Sequence, residues 1–217
     1  MFSEFQIKPL EKSKFVKTFS IEFKQAGKCR KWDCAEVFDS VAVLLYHTQK
    51  DAILLVRQFR PSVWAYFAKC EVGAQNFQGN FEIDDKEANR LAKNAYTYEL
   101  CAGLMDKNKS EAQTASEEIL EETGFAVEAG ALRRVASHFS ALGFAAARQT
   151  LFYATINDSQ RLTQGGGTDD EDISLEFVPR SELLELISDE NKVKAPNLSF
   201  AILWFLQNFS QLNKEAK

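Results

Sequence analysis

Histidine is nearly absent from this chain, with only His47 and His138 among 217 residues. The four cysteines, Cys29, Cys34, Cys70 and Cys101, nowhere make a C-x-x-C pair. Only those two histidines could help the cysteines bind zinc, and reduced thiols are the better reading. Long apolar runs are missing too. No stretch approaches the roughly eighteen uninterrupted apolar residues of a membrane span, and Met1-Phe2-Ser3-Glu4-Phe5 lacks the charged-then-apolar pattern of a secretory signal. A cytoplasmic protein with no membrane partner is the expectation. Positive charge is outnumbered, 26 Lys and Arg against 31 Asp and Glu, for a net charge of -5. Without a basic field, a life spent gripping the phosphates of DNA or RNA is disfavoured. Internal repeats and low-complexity segments are absent as well. What the chain does have is core material, 45% apolar residues and eighteen phenylalanines, enough for one large domain.

Three β-rich runs, at 17–23, 31–38 and 40–46, open the chain. A polar turn, His47-Thr48-Gln49-Lys50, leads to a further strand at 52–56 whose exit carries Arg57-Gln58-Phe59-Arg60-Pro61. The proline should stop the pairing, which leaves two arginines at a strand's end. From about 71 to 95 the sequence is polar and irregular and reads as a surface insertion, before a strand resumes at 96–102. Ser110-Glu111-Ala112-Gln113 has the form of a capping box, so a helix begins there. It should run to about Thr123, because Gly124 can take the left-handed conformation and Phe125 can pack back on the helix. Strands at 132–140 and 149–156 follow, then a mobile acidic loop, Gly165-Gly166-Gly167-Thr168-Asp169-Asp170-Glu171-Asp172. A strand at 173–178, a helix capped by Ser181 and a last helix over 198–209 complete the chain. Leu198, Ile202, Phe205, Leu206 and Phe209 of that helix fall at core spacing.

On the helix after Ser110, Glu118, Glu121 and Glu122 stand at i, i+3 and i+4, so three carboxylates share one face within one turn. Their repulsion costs roughly a few tenths of a kcal/mol per pair unless a divalent cation sits among them. An all-oxygen set suits magnesium or manganese rather than zinc. An acidic patch on a helix is by itself most often a solvated face, so the surroundings must decide. The string from Gly103 to Phe125, GLMDKNKSEAQTASEEILEETGF, resembles the Nudix box, G-x5-E-x7-R-E-U-x-E-E-x-G-U with U aliphatic or aromatic. Gly103, Glu118, Ile119, Glu121, Glu122, Gly124 and Phe125 fall on pattern positions, while Lys109 stands where the family has Glu and Glu117 where it has Arg. The family's arginine pairs with neighbouring carboxylates; Lys109, Arg133 and Arg134 are the residues that could make up for its replacement.

The resemblance covers most of the chain and narrows to the UDP-glucose (UDP-sugar) pyrophosphatase branch, close to the ADP-ribose pyrophosphatases. It rests on KWDCAEVFDSVAVLLY (31–46), LLVRQFRPSV (54–63), YELCAGL (98–104), LRRVASHFS (132–140), ARQTLFY (147–153) and the three glycines before the acidic loop. The implied fold is the α+β Nudix fold, a mixed β-sheet sandwiched between helices. An N-terminal β-rich extension over 1–38 would form a homodimer, and a hydrolase domain over 39–217 would carry the insertion at about 71–95. The implied activity is magnesium-dependent hydrolysis of the diphosphate bond of a nucleotide sugar, with manganese as a substitute. Glu118 and Glu122 would be the principal metal ligands, joined by the Ala102 carbonyl, and Glu121 would bind a further ion or orient water. Glu171 would be the catalytic carboxylate of the mobile loop, with Asp169, Asp170 and Asp172 as rivals. Arg60, Arg57, Trp32, Arg148 and Glu99 would contact substrate, although Arg57 reads equally well as a solvated strand-end arginine and Trp32 as an interface residue. An ADP-ribose specialist and a binding module without hydrolysis are the competing readings. Replacing Glu117 by Arg is expected to keep or raise activity.

Overall fold

In the computed structural model, which describes every residue except 1, 3, 9, 11, 14, 72–80, 169, 170, 216 and 217, the apolar runs form strands and the capped segments helices. The chain runs β1 (Gln6–Ile7), β2 (Lys17–Gln25), β3 (Lys28–Glu36), β4 (Ser40–His47), β5 (Ala52–Phe59), α1 (Pro61–Glu71), β6 (Phe81–Glu82) and α2 (Asp85–Ala92). It continues through β7 (Tyr96–Glu99), β8 (Cys101–Leu104), α3 (Glu111–Glu118), β9 (Arg133–Ser140), β10 (Ala147–Ile156), β11 (Ile173–Pro179), α4 (Leu183–Ser188) and α5 (Pro196–Glu215).

β4 has no solvent face. Val41, Val43 and Leu45 enter one core and Ala42, Leu44 and Tyr46 the other, which is why the strand reads as an unbroken apolar run. α3 and the turn that ends it cover the first face through Ala115 and Ile119, and α4 and α5 cover the second through Leu183, Leu186, Leu198, Ile202 and Phe205. Each large side chain buried this way contributes about 1.5–3 kcal/mol. The result is the expected mixed sheet between helices, in the order β11-β5-β4-β10-β9, with β10 parallel to β4 and its other neighbours antiparallel.

β4 and β5 pair only beside their connecting turn, from Leu45↔Leu54 to His47↔Ala52. Beyond it they splay, and β7 and β8 fill the gap, Glu99 opposite Val56 and Gly103 opposite Val41. The one strand expected over 96–102 is therefore two, broken at the buried Leu100, where the chain changes partner. This splay sets the segment from Glu99 to Gly103 between two strands, with α3 packed over β8.

The stretch expected as an irregular insertion at 71–95 is more regular than its composition suggested, apart from 72–80, which lie outside the described residues. Pro61 does more than stop β5: it opens α1, where a missing amide costs nothing, and the Arg60 carbonyl accepts from the amides of Val63 and Trp64, both at 3.0 Å. Asp84 caps α2 by accepting from the Glu87 amide at 3.1 Å. Trp64, Ala68, Ala88, Leu91 and Ala92 make a third, smaller core. Phe2 and Phe5 close it, Phe5 stacked on Trp64 with ring centres 4.2 Å apart. The region 1–38 thus has two parts, a tip docked on the chain's own α1 and α2, and the β2–β3 hairpin. Ser181 does not cap α4. It lies in the tight turn Arg180–Glu182, whose Arg180 carbonyl accepts from the Leu183 amide in place of a side-chain cap. Among the described residues no helix is long and apolar enough to cross a membrane.

Candidate active site

The capping box forms as the sequence predicts: Ser110 Oγ accepts from the Gln113 amide at 3.3 Å and Gln113 Oε1 from the Ser110 amide at 3.0 Å. The helical segment closes at Gly124, whose φ of 77° is left-handed. Its last turn, Ile119–Thr123, is a wide π turn rather than α-helix, with the Thr123 hydroxyl donating to the Ile119 carbonyl at 2.5 Å. Such turns are rare and gather at functional sites. Gly103 is small for a reason, since a Cβ there would overlap the Glu118 carboxylate. One turn on, Glu122 is only 3% exposed and accepts from the Ala102 amide at 3.1 Å and from the Cys101 thiol.

Burial raises both acids. Glu118 is pushed up to about 7, with the negative charges of Glu121, Glu171 and Asp106 adding to desolvation and Lys107 opposing it. Glu122 is pushed up to about 8, because its burial and the charges of Glu118 and Glu171 outweigh the bonds from Cys101 and Ala102. Neither is ion-paired among the described residues. Buried like charges without a counter-ion are what a cation relieves, and the hard oxygen donors fit magnesium or manganese. Among the described residues no three His, Cys, Asp or Glu side chains are drawn together tightly enough to enclose an ion unaided.

The three glycines act as a clip. The Gly166 amide donates to the Glu122 carbonyl at 2.8 Å and the Gly167 amide to the Glu121 carbonyl at 3.1 Å, satisfying groups that a helix end leaves open. Gly165 and Gly167 are both left-handed, and a Cβ would stand 2.5 Å from the Glu122 carbonyl oxygen at the first and 2.5 Å from Glu171 Oε2 at the second. The clip delivers Glu171 to the site, where its charge is felt by Glu118, Glu122 and Arg60. Glu171 Oε2 accepts from the Thr168 amide at 3.0 Å. Glu171 and its rival Asp172 are both exposed, and Asp169 and Asp170 lie outside the described residues.

Arg60 follows β5 at the same end of the sheet, held by Glu99. The other candidate contacts are not gathered here. Arg57 points to the opposite sheet face, its guanidinium 4.3 Å from the Tyr98 ring centre and 3.4 Å from Glu176 Oε2. Arg148 is tied to Glu111 at 2.9 Å, about two turns of α3 before Glu118. Trp32 is exposed on the hairpin and donates to the Gly143 carbonyl at 2.8 Å. Sequence reasoning missed the Cys101 thiol beneath Glu122 and the Thr97 hydroxyl on Glu99; the period-two alternation of extended chain, which carries 97, 99 and 101 on one side across the break at Leu100, is the signal that could have found them.

Known proteins are similar in sequence to most of this chain. The uridine diphosphate glucose pyrophosphatase NUDT14 of Bos taurus is 31% identical over 202 residues, covering 89% of this chain and 89% of the relative. Its Mus musculus counterpart is 30% identical over 209 residues, 92% and 90% of the two chains. A GDP-mannose pyrophosphatase of Klebsiella pneumoniae is 33% identical over 157 residues, 71% and 66%. The chain belongs to the Nudix hydrolases. Within that family it sits with the nucleoside diphosphate sugar pyrophosphatases. No family model matches the chain.

Membership makes the two departures from the Nudix box worth locating. Lys109 Nζ donates to both carboxylate oxygens of Glu117, at 2.5 and 2.6 Å. The two residues are thus each other's partner, with the signs of the Nudix pattern exchanged. Both side chains are more than a third exposed, so the pair adds at most about 1 kcal/mol. The pair leaves no net charge at these two positions, the second of them one residue before Glu118.

Proposed function

We propose that this chain hydrolyses the diphosphate bond of a nucleoside diphosphate sugar to a nucleoside monophosphate and a sugar phosphate, with magnesium as the working cation and manganese able to replace it. The observation that carries the reading is the pair Glu118 and Glu122, raised to about 7 and 8 without an ionic partner among the described residues and faced by Glu171 and Arg60. Alone, such a pair would repel a diphosphate. Glu118, Glu122 and the Ala102 carbonyl would hold the ion, with Glu121 for a second ion or its water. When bound, a divalent ion neutralises diphosphate oxygens and acidifies water. Glu171 takes the proton of the attacking water as its oxygen bonds to phosphorus, and the bridging P–O bond breaks with its electrons leaving on the departing phosphate. The Arg60 guanidinium offsets charge on the phosphate oxygens.

UDP-glucose is the favoured substrate, because two relatives that span about nine-tenths of the chain are named for it; GDP-mannose and ADP-ribose follow. The competing reading of binding without hydrolysis draws on Glu117 and Lys109; their ion pair, which balances the charge at both positions, supports hydrolysis instead. The test is purified protein with magnesium and each of the three nucleotides, products identified by chromatography. UMP and glucose 1-phosphate are expected from UDP-glucose, and no product from any of the three would end the proposal.

We also propose a homodimer. Phe19, Ile21, Phe23 and Trp32 share one face of the β2–β3 hairpin and are 42% to 56% exposed, an apolar surface that a second copy would cover. Light scattering should give twice the mass of the chain, and Ile21→Glu with Phe23→Glu should give monomer; a monomeric parent protein would contradict this.

A further inference from the structure

Glu99 stands where a substrate contact was expected, yet three of its roughly four acceptor positions are already filled. Oε1 takes the Arg60 Nε proton at 2.7 Å and the Thr97 hydroxyl, and Oε2 takes Arg60 Nη2 at 2.5 Å. The side chain is 19% exposed, against 43% for Arg60. A carboxylate so engaged has little left to offer a ligand, and it would repel a diphosphate if it touched one. Arg60 has another pull on it, because the charges of Glu122 and Glu171 both act on its guanidinium. An arginine on a flexible stem in that field would swing to those carboxylates and take the place of a cation.

We propose that Glu99 is a positioning residue that works only through Arg60: its two-pronged grip holds the guanidinium away from Glu122 and Glu171, keeping them open to a divalent ion while the free edge of Arg60 faces the phosphates. Thr97, 5% exposed, fixes Glu99 in turn. The inference rests on the metal-site reading above but makes a separate demand. Releasing Arg60 should weaken cation binding, and removing Arg60 as well should restore it.

The experiment is Mn2+ binding by electron paramagnetic resonance to the full chain without nucleotide, for the parent protein, Glu99→Gln, Arg60→Ala and the double variant. Glu99→Gln should weaken Mn2+ binding about fivefold, the scale of one partly exposed ion pair, and the double variant should return to within about twofold of the parent. Thr97→Val, which loosens Glu99 without removing its charge, should move affinity the same way by less and serves if Glu99→Gln does not fold. Unchanged Mn2+ binding in Glu99→Gln and Thr97→Val, or a double variant as weak as Glu99→Gln, overturns the proposal. Failure of the two ideas is distinguishable: a parent protein that binds Mn2+ in this pattern but hydrolyses no nucleotide sugar sinks the activity alone, and a working hydrolase without the pattern sinks the role of Glu99 alone.

Discussion

Two acid sites lie at opposite ends of the central sheet and have been treated in opposite ways. At the β4–β5 turn, Asp51 accepts from Arg180 Nε and Nη2 and from the Tyr46 hydroxyl, all at 2.8 Å, and Arg180 holds its carboxyl below the usual range. Burial, and after it the hydrogen bond to Asp51, pushes Tyr46 up to about 12. At the other end Glu118 and Glu122 have no such partner among the described residues and are raised to about 7 and 8. An acid whose bonds are complete is there to hold the fold together, whereas acids left raised and unpaired cost stability until something positive arrives.

The sharpest break in that comparison is Glu122→Gln or Glu118→Gln. Turnover of UDP-glucose should fall by about a thousandfold or more, with the melting midpoint equal to or above the parent's, because each change removes a burdened charge without opening a cavity. A lower midpoint with turnover intact would mean that these acids are structural like Asp51. Next in size, stability without added cation should decline as pH rises from about 4.5 to about 8. Across that window the folded state retains protons on Glu118 and Glu122 that the unfolded chain, with ordinary values of 4.5, has released. Added Mn2+ should raise the midpoint more at pH 8 than at pH 6, since the ion competes with those protons; calorimetry at both pH values measures it. Asp51→Ala should behave in reverse, lowering stability by about 1 kcal/mol, or about 2–4 °C, while kcat stays within about twofold.

The smallest effect concerns Glu117. The sequence alone suggests that Glu117→Arg would keep or raise activity; given the ion pair with Lys109, we propose the opposite. Glu117→Arg alone should lower kcat/KM by about two- to fivefold, and adding Lys109→Glu should recover it. Multiplying losses in the double variant would show that the two residues act independently.

Much of this was legible in the sequence because it was local. The strands of the central sheet follow from apolar runs, the start of α3 from Ser110 and Gln113, and its close from Gly124. What escaped depended on contacts between distant segments. α2 is stabilised by packing on α1 and on Phe2 and Phe5, so its polar composition hid it. The break at Leu100 reflects a change of strand partner, which pairing decides rather than propensity. Ser181 has the right chemistry for a cap, but the preceding turn had already satisfied the amide. In the site, the spacing of Glu118, Glu121 and Glu122 was readable, while the clip of Gly165 to Gly167 on the helix end and the hold of Glu99 on Arg60 join residues some 40 apart.

The most direct test of why Glu118 and Glu122 are raised is a Mn2+ titration at pH 8 comparing the parent protein with Glu122→Gln. Saturable Mn2+ binding in the parent, weakened at least about tenfold by the substitution, is the expected result. Equal binding by both proteins, or none by the parent even with UDP-glucose present, would contradict it.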